Sequence, residues 1–441
     1  MRTLHSENTE TKMPQNKKQN LQDMTILESL FNPKKIPEDA KPVLEEFDSI
    51  IQGILPLNSK QLSKLPDDIR ELSHQLTDER STRKMSYMNS KIFLSAYARY
   101  FMWWNLIRLV KLFSNISFSD VDFQNGDSCL DIGSGPLTVV TALWLSHPEL
   151  RSKKITWYCL DISKEALTLG ENLFLSVAAR TMSDSEEEIN WKIIKVKGSL
   201  GTSIKEKAKL VTCANMFNEA FQSQTNPLEF LAKKYFADLK HYAKEDSFYL
   251  VIEPGVPRSA RFISCLRDCF IRGGLEIKAP CCHKESCPMD GRLLKGPHVK
   301  NPNSKTGKWC NFAFNTEDAP AKLKKLSTDA KLTKTRAVLS FIFAGGAHSS
   351  ETESATDAGS KMPRNASVST PRNAGKICLR IASDPIRLYD KTGFYACSGK
   401  GLVLFIPKKG KPVFSGDLIE LDIPDKKIRT DLKTGASIIE Q

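Results

Sequence analysis

The run Leu130-Asp131-Ile132-Gly133-Ser134-Gly135-Pro136-Leu137-Thr138 constrains this chain more than any other segment, because it sits between a short apolar β-rich stretch and an amphipathic one. Glycines so spaced permit a tight strand-to-helix turn and let backbone approach a ligand at the helix N-terminus, where free N–H groups favour anionic atoms. The alternation repeats downstream, as it does in a parallel sheet with crossover helices. It predicts strands over 128–132, 155–160, 192–196, 210–214 and 248–252, with a last strand over 337–344. Helices are predicted over 137–146, 164–181, 227–242 and 258–272. Asp161 directly follows the second strand, where a carboxylate can accept hydrogen bonds from both ribose hydroxyls of a nucleoside. Thr138 stands where a dinucleotide-binding loop would carry its third glycine, which argues against NAD and FAD.

The strand-helix order, the Asp-x-Gly-x-Gly loop and the second-strand acid together resemble a class I methyltransferase, an α/β Rossmann-like fold. The resemblance implies S-adenosylmethionine, with Asp131 near its amino group, Gly133, Ser134 and Gly135 beneath it and Asp161 on its ribose. Ser199, within Gly198-Ser199-Leu200, would lie beside the adenine, and Asn215 would face the methyl donor. After the fourth strand the chain reads Cys213-Ala-Asn-Met-Phe-Asn-Glu219. Base methyltransferases that act on amino groups carry Asn or Asp, Pro-Pro and an aromatic there, so the catalytic residues stay unassigned. Asn215, Asn218 and Glu219 either orient a substrate or form a helix cap with an acid in its first turn.

Of eleven cysteines, Cys129, Cys159, Cys213, Cys265, Cys269 and Cys378 fall in apolar periodic segments, as buried thiols do. The others include Cys281-Cys282-His283, Cys287 and Cys310, in a polar stretch with little apolar material to bury them. Loop thiols near cationic residues suit a metal centre. The spacing is not a Cys-x-x-Cys pair, and general rules leave zinc and an iron-sulfur cluster both open.

Ala-Pro-Cys281 through His283 to Cys287-Pro, then Trp309-Cys310-Asn-Phe, after a strand ending Glu253-Pro254-Gly255, resembles the mitochondrial small-ribosomal-subunit assembly family of methyltransferase-like proteins and its bacterial relatives. The resemblance runs from about Ser86 to Ala344. It implies a [4Fe-4S] cluster held by four cysteines, of which Cys281, Cys287 and Cys310 match three. Cys397 is the preferred fourth and Cys378 the other possibility, while Cys282 and His283 would neighbour the ligands. Zinc on Cys281, Cys287, Cys310 and either His283 or a fourth cysteine is the alternative. The family also implies small-subunit rRNA or a ribosomal precursor as partner, and an assembly factor as the function. An active rRNA methyltransferase comes second, and a small-molecule methyltransferase with a structural zinc or a redox-sensing cluster third.

The formal charge of +13 favours a polyanionic partner. Between residues 281 and 336 there are twelve Lys or Arg against five Asp or Glu, so over half the surplus lies in one segment. Lys295, Lys300, Lys305, Lys308, Lys322, Lys324, Lys325, Lys331 and Arg336 are its candidate phosphate contacts; no DNA partner is expected. The organisation expected is a disordered tail over 1–24, a helical domain over 25–115 and the methyltransferase-like domain over 116–344 with a Cys-rich basic insertion at 278–336. A linker over 345–372 and a small antiparallel β module over 373–441 complete it. The longest apolar stretch, Phe101 to Phe113, is broken by Asn105, Arg108 and Lys111, short of the roughly 20 residues that span a bilayer. Neither a secretory nor a transit-type segment is expected at the N-terminus, so the expected compartment is the cytoplasm.

Overall fold

A computed structural model of the chain describes residues 24–77, 87–182, 188–220, 225–292, 307–347, 375–423 and 428–441. Nearly all of the expected tail, most of the expected linker, and Lys295, Lys300 and Lys305 lie outside the described residues.

Strand β1 (Thr25–Glu28) precedes helices α1 (Ala40–Glu45), α2 (Phe47–Ile54), α3 (Ser59–Thr77), α4 (Lys91–Ala96) and α5 (Trp103–Phe113). A π-helical stretch, Tyr97–Met102, joins α4 to α5, and right-handed helical angles at Ala96, Tyr97, Met102 and Trp103 keep the rod unbroken. Single π-turns inside helices often mark functional positions, because they rotate one face relative to the next.

The central sheet contains β2 (Ser128–Ile132), β3 (Ile155–Asp161), β4 (Trp191–Lys197), β5 (Ala208–Ala214), β6 (Ala243–Pro254), β7 (Leu275–Ala279), β8 (Phe312–Asn315) and β9 (Arg336–Ala347). Its order is β4-β3-β2-β5-β6-β9-β7, with β8 also on β9. Strands β2 to β6 pair in parallel, and β9 runs antiparallel to both β6 and β7. This is the class I methyltransferase order, with its reversed last strand slotted between two forward ones. Helices α6 (Thr138–Ser146), α7 (Lys164–Thr181), α8 (Phe217–Ala220), α9 (Leu228–Tyr242) and α10 (Pro257–Arg272) follow strands of the parallel part, and α11 (Ala321–Asp329) lies between β8 and β9. Every residue of β2 is buried, Ser128 and Asp131 included, as befits a central parallel strand covered on both faces.

Four corrections to the sequence reading have local reasons. Residues 25–28 are not helical: Ile26 pairs with Ile419 in an antiparallel ladder, a partner no local pattern could announce. The insertion is not a bare loop, since it contains β8 and α11, and β7 precedes it as a half-buried edge strand of weak apolar signal. β9 runs on to Ala347, so the first residues of the expected linker are strand instead. Cys378 is half-buried on its strand, whereas Cys129, Cys159, Cys213, Cys265 and Cys269 are buried as expected.

The C-terminal module holds β10 (Lys376–Ile381), β11 (Ile386–Arg387), β12 (Thr392–Ser398), β13 (Gly401–Ile406), β14 (Leu418–Asp422), β15 (Arg429–Thr430) and β16 (Ser437–Glu440). Its sheet runs β1-β14-β10-β12-β13-β16-β15, with β11 on β12. It is not wholly antiparallel, because β13 and β16 pair in parallel. Leu379, Ile381, Phe405, Ile419, Leu421 and Ile439 form a core of its own. Buried Arg380 ties the module to the Cys-rich segment by donating to the Pro280 carbonyl (2.8 Å), and holds its own sheet together through the Gly416 carbonyl (2.7 Å) and Glu28 (3.2 Å). Among the described residues, no helix is long and apolar enough to cross a membrane.

Candidate functional site

The predicted cofactor residues gather at the carboxyl ends of β2, β3, β4 and β5, the edge at which open parallel sheets bind ligands. Asp131 is buried on β2. Its Oδ1 accepts from Thr212 Oγ1 on the adjacent strand at 2.6 Å, while Oδ2 has no partner. Burial pushes this carboxyl up to about 7, opposed by the hydroxyls of Thr212 and Ser134 and helped by the charge of Asp161.

The loop bends through left-handed backbone at Gly133 (φ 71°) and Gly135 (φ 50°), conformations that glycine adopts without steric cost. The N–H groups of Gly133 and Ser134 donate to the Leu160 carbonyl at 2.8 and 3.1 Å, which fixes the turn against β3. Asp161 accepts from Gly135 N at 2.8 Å and from Ser163 N at 2.8 Å, so its carboxylate is oriented by backbone before any ligand arrives. Behind the loop, a Cβ at Gly170 would come within 2.4 Å of the Pro136 carbonyl carbon, and only glycine lets α7 pack this closely. The β4–β5 turn brings Ser199 to the same edge, with Gly198 N donating to the Asp161 carbonyl at 2.9 Å.

Asn215 closes the far side in left-handed backbone (φ 58°). A non-glycine residue held there stores strain, which clusters at functional sites. Its Oδ1 accepts from Arg108 Nη2 at 3.3 Å, and Asn218 Nδ2 donates to its carbonyl at 3.2 Å. Asn218 and Glu219 lie in the short helix α8, so the helix-cap reading of this segment is close to what the fold contains. The acid that holds the helix N-terminus is a different one. Glu253, wholly buried at the end of β6, accepts from Phe217 N (2.9 Å) and Asn218 N (3.0 Å), and burial pushes it up to about 8.

Sequence reading missed two residues that the helical rod brings to this crevice. Arg108 is buried against Asn215 and the Val338 carbonyl, and its Nε has no partner. The Tyr97 hydroxyl is raised above its ordinary range by burial and by the nearby charges of Glu219 and Asp161. Both belong to a helical run whose regular apolar spacing reads as core. Two methionines also border the loop: a Cβ at Gly133 would lie 2.7 Å from Met216 Cγ, and one at Gly135 would lie 3.6 Å from Met88 Cε.

A second cluster forms around the cysteines. Cys281 follows β7, Cys310 precedes β8 and its N–H donates to the Met289 carbonyl at 2.8 Å, which draws Cys287 towards it. Cys397 is buried on β12. Burial pushes Cys281 up to about 11 and raises Cys287 and Cys310 as well. Cys310 feels the charges of Cys287 and Cys281, and Cys397 feels those of Cys282, Cys310 and Cys281. Cys282 lies between the two remaining candidates, its Sγ donating to the carbonyls of Cys397 at 3.7 Å and Cys378 at 3.9 Å.

Arg267, buried on α10, donates to Cys281 Sγ at 3.2 Å and clamps the carbonyls of His283 and Glu285 at 2.8 and 2.9 Å. Among the described residues, no group of three or more His, Cys, Asp or Glu is arranged to hold a metal ion. His283 is held down to about 4 by burial and by Arg267, and therefore neutral.

Of the basic residues, Lys322 and Lys325 extend from α11 while pairing with Asp48 (3.2 Å) and Asp329 (2.6 Å), and Lys324 donates to the Glu317 carbonyl at 2.7 Å. Lys308 lies over the Tyr395 ring at 4.1 Å, and Arg336 pairs with Asp384.

Solved structures similar in fold include a SAM-dependent methyltransferase from Geobacter sulfurreducens in complex with S-adenosyl-L-homocysteine, at 10% identity over 55% of this chain and 90% of that one, TM-score 0.29. Precorrin-6y C5,15-methyltransferase from Geobacter metallireducens matches at 11% identity over 52% and 84%, TM-score 0.28. An RNA methyltransferase from Salinibacter ruber in complex with S-adenosyl-L-homocysteine matches at 13% identity over 33% and 72%, TM-score 0.21. No curated protein matches. Residues 94–380, well over half of the sequence and including both clusters except Cys397, match the family described as mitochondrial small ribosomal subunit Rsm22, and the chain belongs to that family.

Proposed function

We propose that this chain is an assembly factor of the small ribosomal subunit that binds rRNA, keeps an S-adenosylmethionine pocket and holds a [4Fe-4S] cluster on Cys281, Cys287, Cys310 and Cys397. The observation that carries the cofactor part is the unpartnered Oδ2 of Asp131 beside the Gly133–Gly135 loop, an acceptor waiting for a donor such as the ligand's ammonium group. When bound, S-adenosylmethionine supplies an electrophilic methyl group. The chain's own residues would orient it: Asp131 at the amino end, Gly133, Ser134 and Gly135 by backbone, Asp161 at the ribose, Ser199 at the adenine and Asn215 towards the methyl group.

Assembly rather than catalysis is favoured because the residue facing the methyl end is already engaged, Asn215 Oδ1 accepting from Arg108. A second reading, an active rRNA methyltransferase, draws support from the strained Asn215 backbone. Tritiated S-adenosylmethionine and small-subunit rRNA lacking its modifications separate the two. Label in the RNA selects the enzyme, and cofactor binding without label selects the assembly factor.

The four cysteines would serve as a staple between the insertion and the C-terminal module, since Cys397 belongs to β12 and the other three do not. Zinc on the same sulfurs is the alternative, and metal analysis of anaerobically purified protein decides between them.

The RNA face is assigned to α11. A Lys322, Lys324, Lys325→Ala triple variant is expected to lower the salt slope of rRNA binding by about 2 to 3, at roughly 0.7–0.9 for each phosphate no longer neutralised. An unchanged slope and affinity would remove α11 from the interface.

Asp131 also makes stability depend on pH. Its folded value of about 7 lies above the ordinary 3.8, so the native state holds the proton more tightly than the unfolded chain. That contribution is fully present below about 4 and is lost as pH rises through about 7. The urea midpoint of the wild type is therefore expected to lose ground to that of Asp131→Asn between pH 5.5 and 8.5, and a widening advantage of the wild type would contradict the assignment. Affinity for the cationic ligand is expected to move oppositely, tightening over the same range as Asp131 ionises.

A further inference from the structure

Most of the C-terminal module follows residue 380, past the region that matches the family. Its strand register brings one kind of residue to a single edge. Phe394 pairs with Phe405, so continuing the β12–β13 ladder sets Lys391 across from Lys408. On one side Arg387 pairs with Thr392. On the other, Ile406 pairs with Glu440 and Arg429 with Ile438. Five strand ends, at about 4.8 Å per step, thus form a row of about 20 Å bearing Arg387, Lys391, Lys408, Glu440 and Arg429 in order.

Glu440 neutralises part of this row by pairing with Lys391 and Arg429. Arg387, Lys408 and Lys409 are exposed and make no ion pair among the described residues. Above the row stands Tyr389, in the tight turn closed by Leu388 N donating to the Lys391 carbonyl at 2.8 Å. Its side chain is fully exposed (103%), whereas Tyr395, six residues on, is buried at 6%. A polar turn needs no aromatic, and this ring packs on nothing that would stabilise the fold. A free ring beside unpaired cations at strand ends is what an unstacked base and its phosphates require.

We propose that this edge is a binding site for single-stranded RNA, with Tyr389 stacking on a base and Arg387, Lys408 and Lys409 contacting phosphates. It rests on the RNA-partner reading above and adds a surface separate from α11. Duplex RNA is disfavoured because a stacking post needs an unpaired base. An acidic protein segment would engage the cations and leave the ring idle.

The test uses the full chain, a labelled 12-nucleotide single-stranded RNA of mixed sequence, and fluorescence anisotropy across a salt series. Tyr389→Ala is expected to weaken binding roughly 5- to 100-fold, the range for removal of one base–aromatic stack. Tyr389→Phe is expected to bind like the wild type, and Lys408→Ala with Lys409→Ala to lower the salt slope by about 1.4. All of these positions are exposed, so the variants fold. If both changes leave binding intact while the Lys322, Lys324, Lys325→Ala variant is weakened, this inference fails and the RNA reading stands. A wild type that binds no RNA overturns both. Displacement of the oligonucleotide by polyglutamate as readily as by unlabelled RNA, with Tyr389→Ala indistinguishable from wild type, selects an acidic protein partner and also overturns it.

Discussion

Gly133→Val is expected to abolish measurable S-adenosylmethionine binding in isothermal titration while the chain remains folded. Gly133 has φ 71°, and a Cβ there would approach Met216 Cγ to 2.7 Å and Met216 Cβ to 2.8 Å. A branched side chain meets two costs at once: left-handed backbone is unfavourable by about 1–2 kcal/mol for an L-residue, and the added methyl groups occupy the space the ligand needs. The atoms met are the root of the Met216 side chain, so relief requires the segment after β5 to shift, and the crevice deforms with it. Gly53 is the control. It lies inside α2 with nothing within 4 Å of a built Cβ, and Gly53→Ala is expected to leave binding unchanged and to stabilise by about 0.5–1 kcal/mol. Full retention of binding by Gly133→Val would mean that the ligand does not use this loop.

Cys310→Ser should lower bound iron at least roughly tenfold and bleach the brown colour of anaerobically purified protein, since removing a direct ligand costs no less than removing a group that merely supports one. Cys397→Ser is expected to do the same and Cys378→Ser to retain iron, because Cys397 and not Cys378 shares an electrostatic neighbourhood with Cys281 and Cys310. Wild-type iron content in all three variants would mean that these sulfurs hold no centre, and zinc in place of iron in the wild type would replace the cluster by the alternative.

The parts legible in sequence were those whose physics is local. β2 and α7 occur as the pattern predicts, because a short strand running into a glycine turn is marked by its own residues and Ser163 caps α7 by accepting from Ala166 N at 3.1 Å. The loop glycines and Asp161 were legible for the same reason, each being set by its own turn. Strand β1 was not, since its partner Ile419 lies almost the whole chain away. Neither was Glu253, whose role depends on a helix that starts after a different strand. Arg108 and Tyr97 were hidden inside an aromatic helical run whose spacing reads as core, and the π-helical stretch that begins at Tyr97 is invisible in composition. The cysteine spacing pointed to one neighbourhood, but the buried guanidinium of Arg267 on Cys281 had no motif to announce it.

Sedimentation of the full chain with small-subunit precursor particles, in the presence of tritiated S-adenosylmethionine, tests the central claim most directly. The account expects the protein and its bound cofactor to travel with the precursors at physiological salt, with no label passing into the rRNA. Protein that stays at the top of the gradient while the precursors sediment without it would contradict the account.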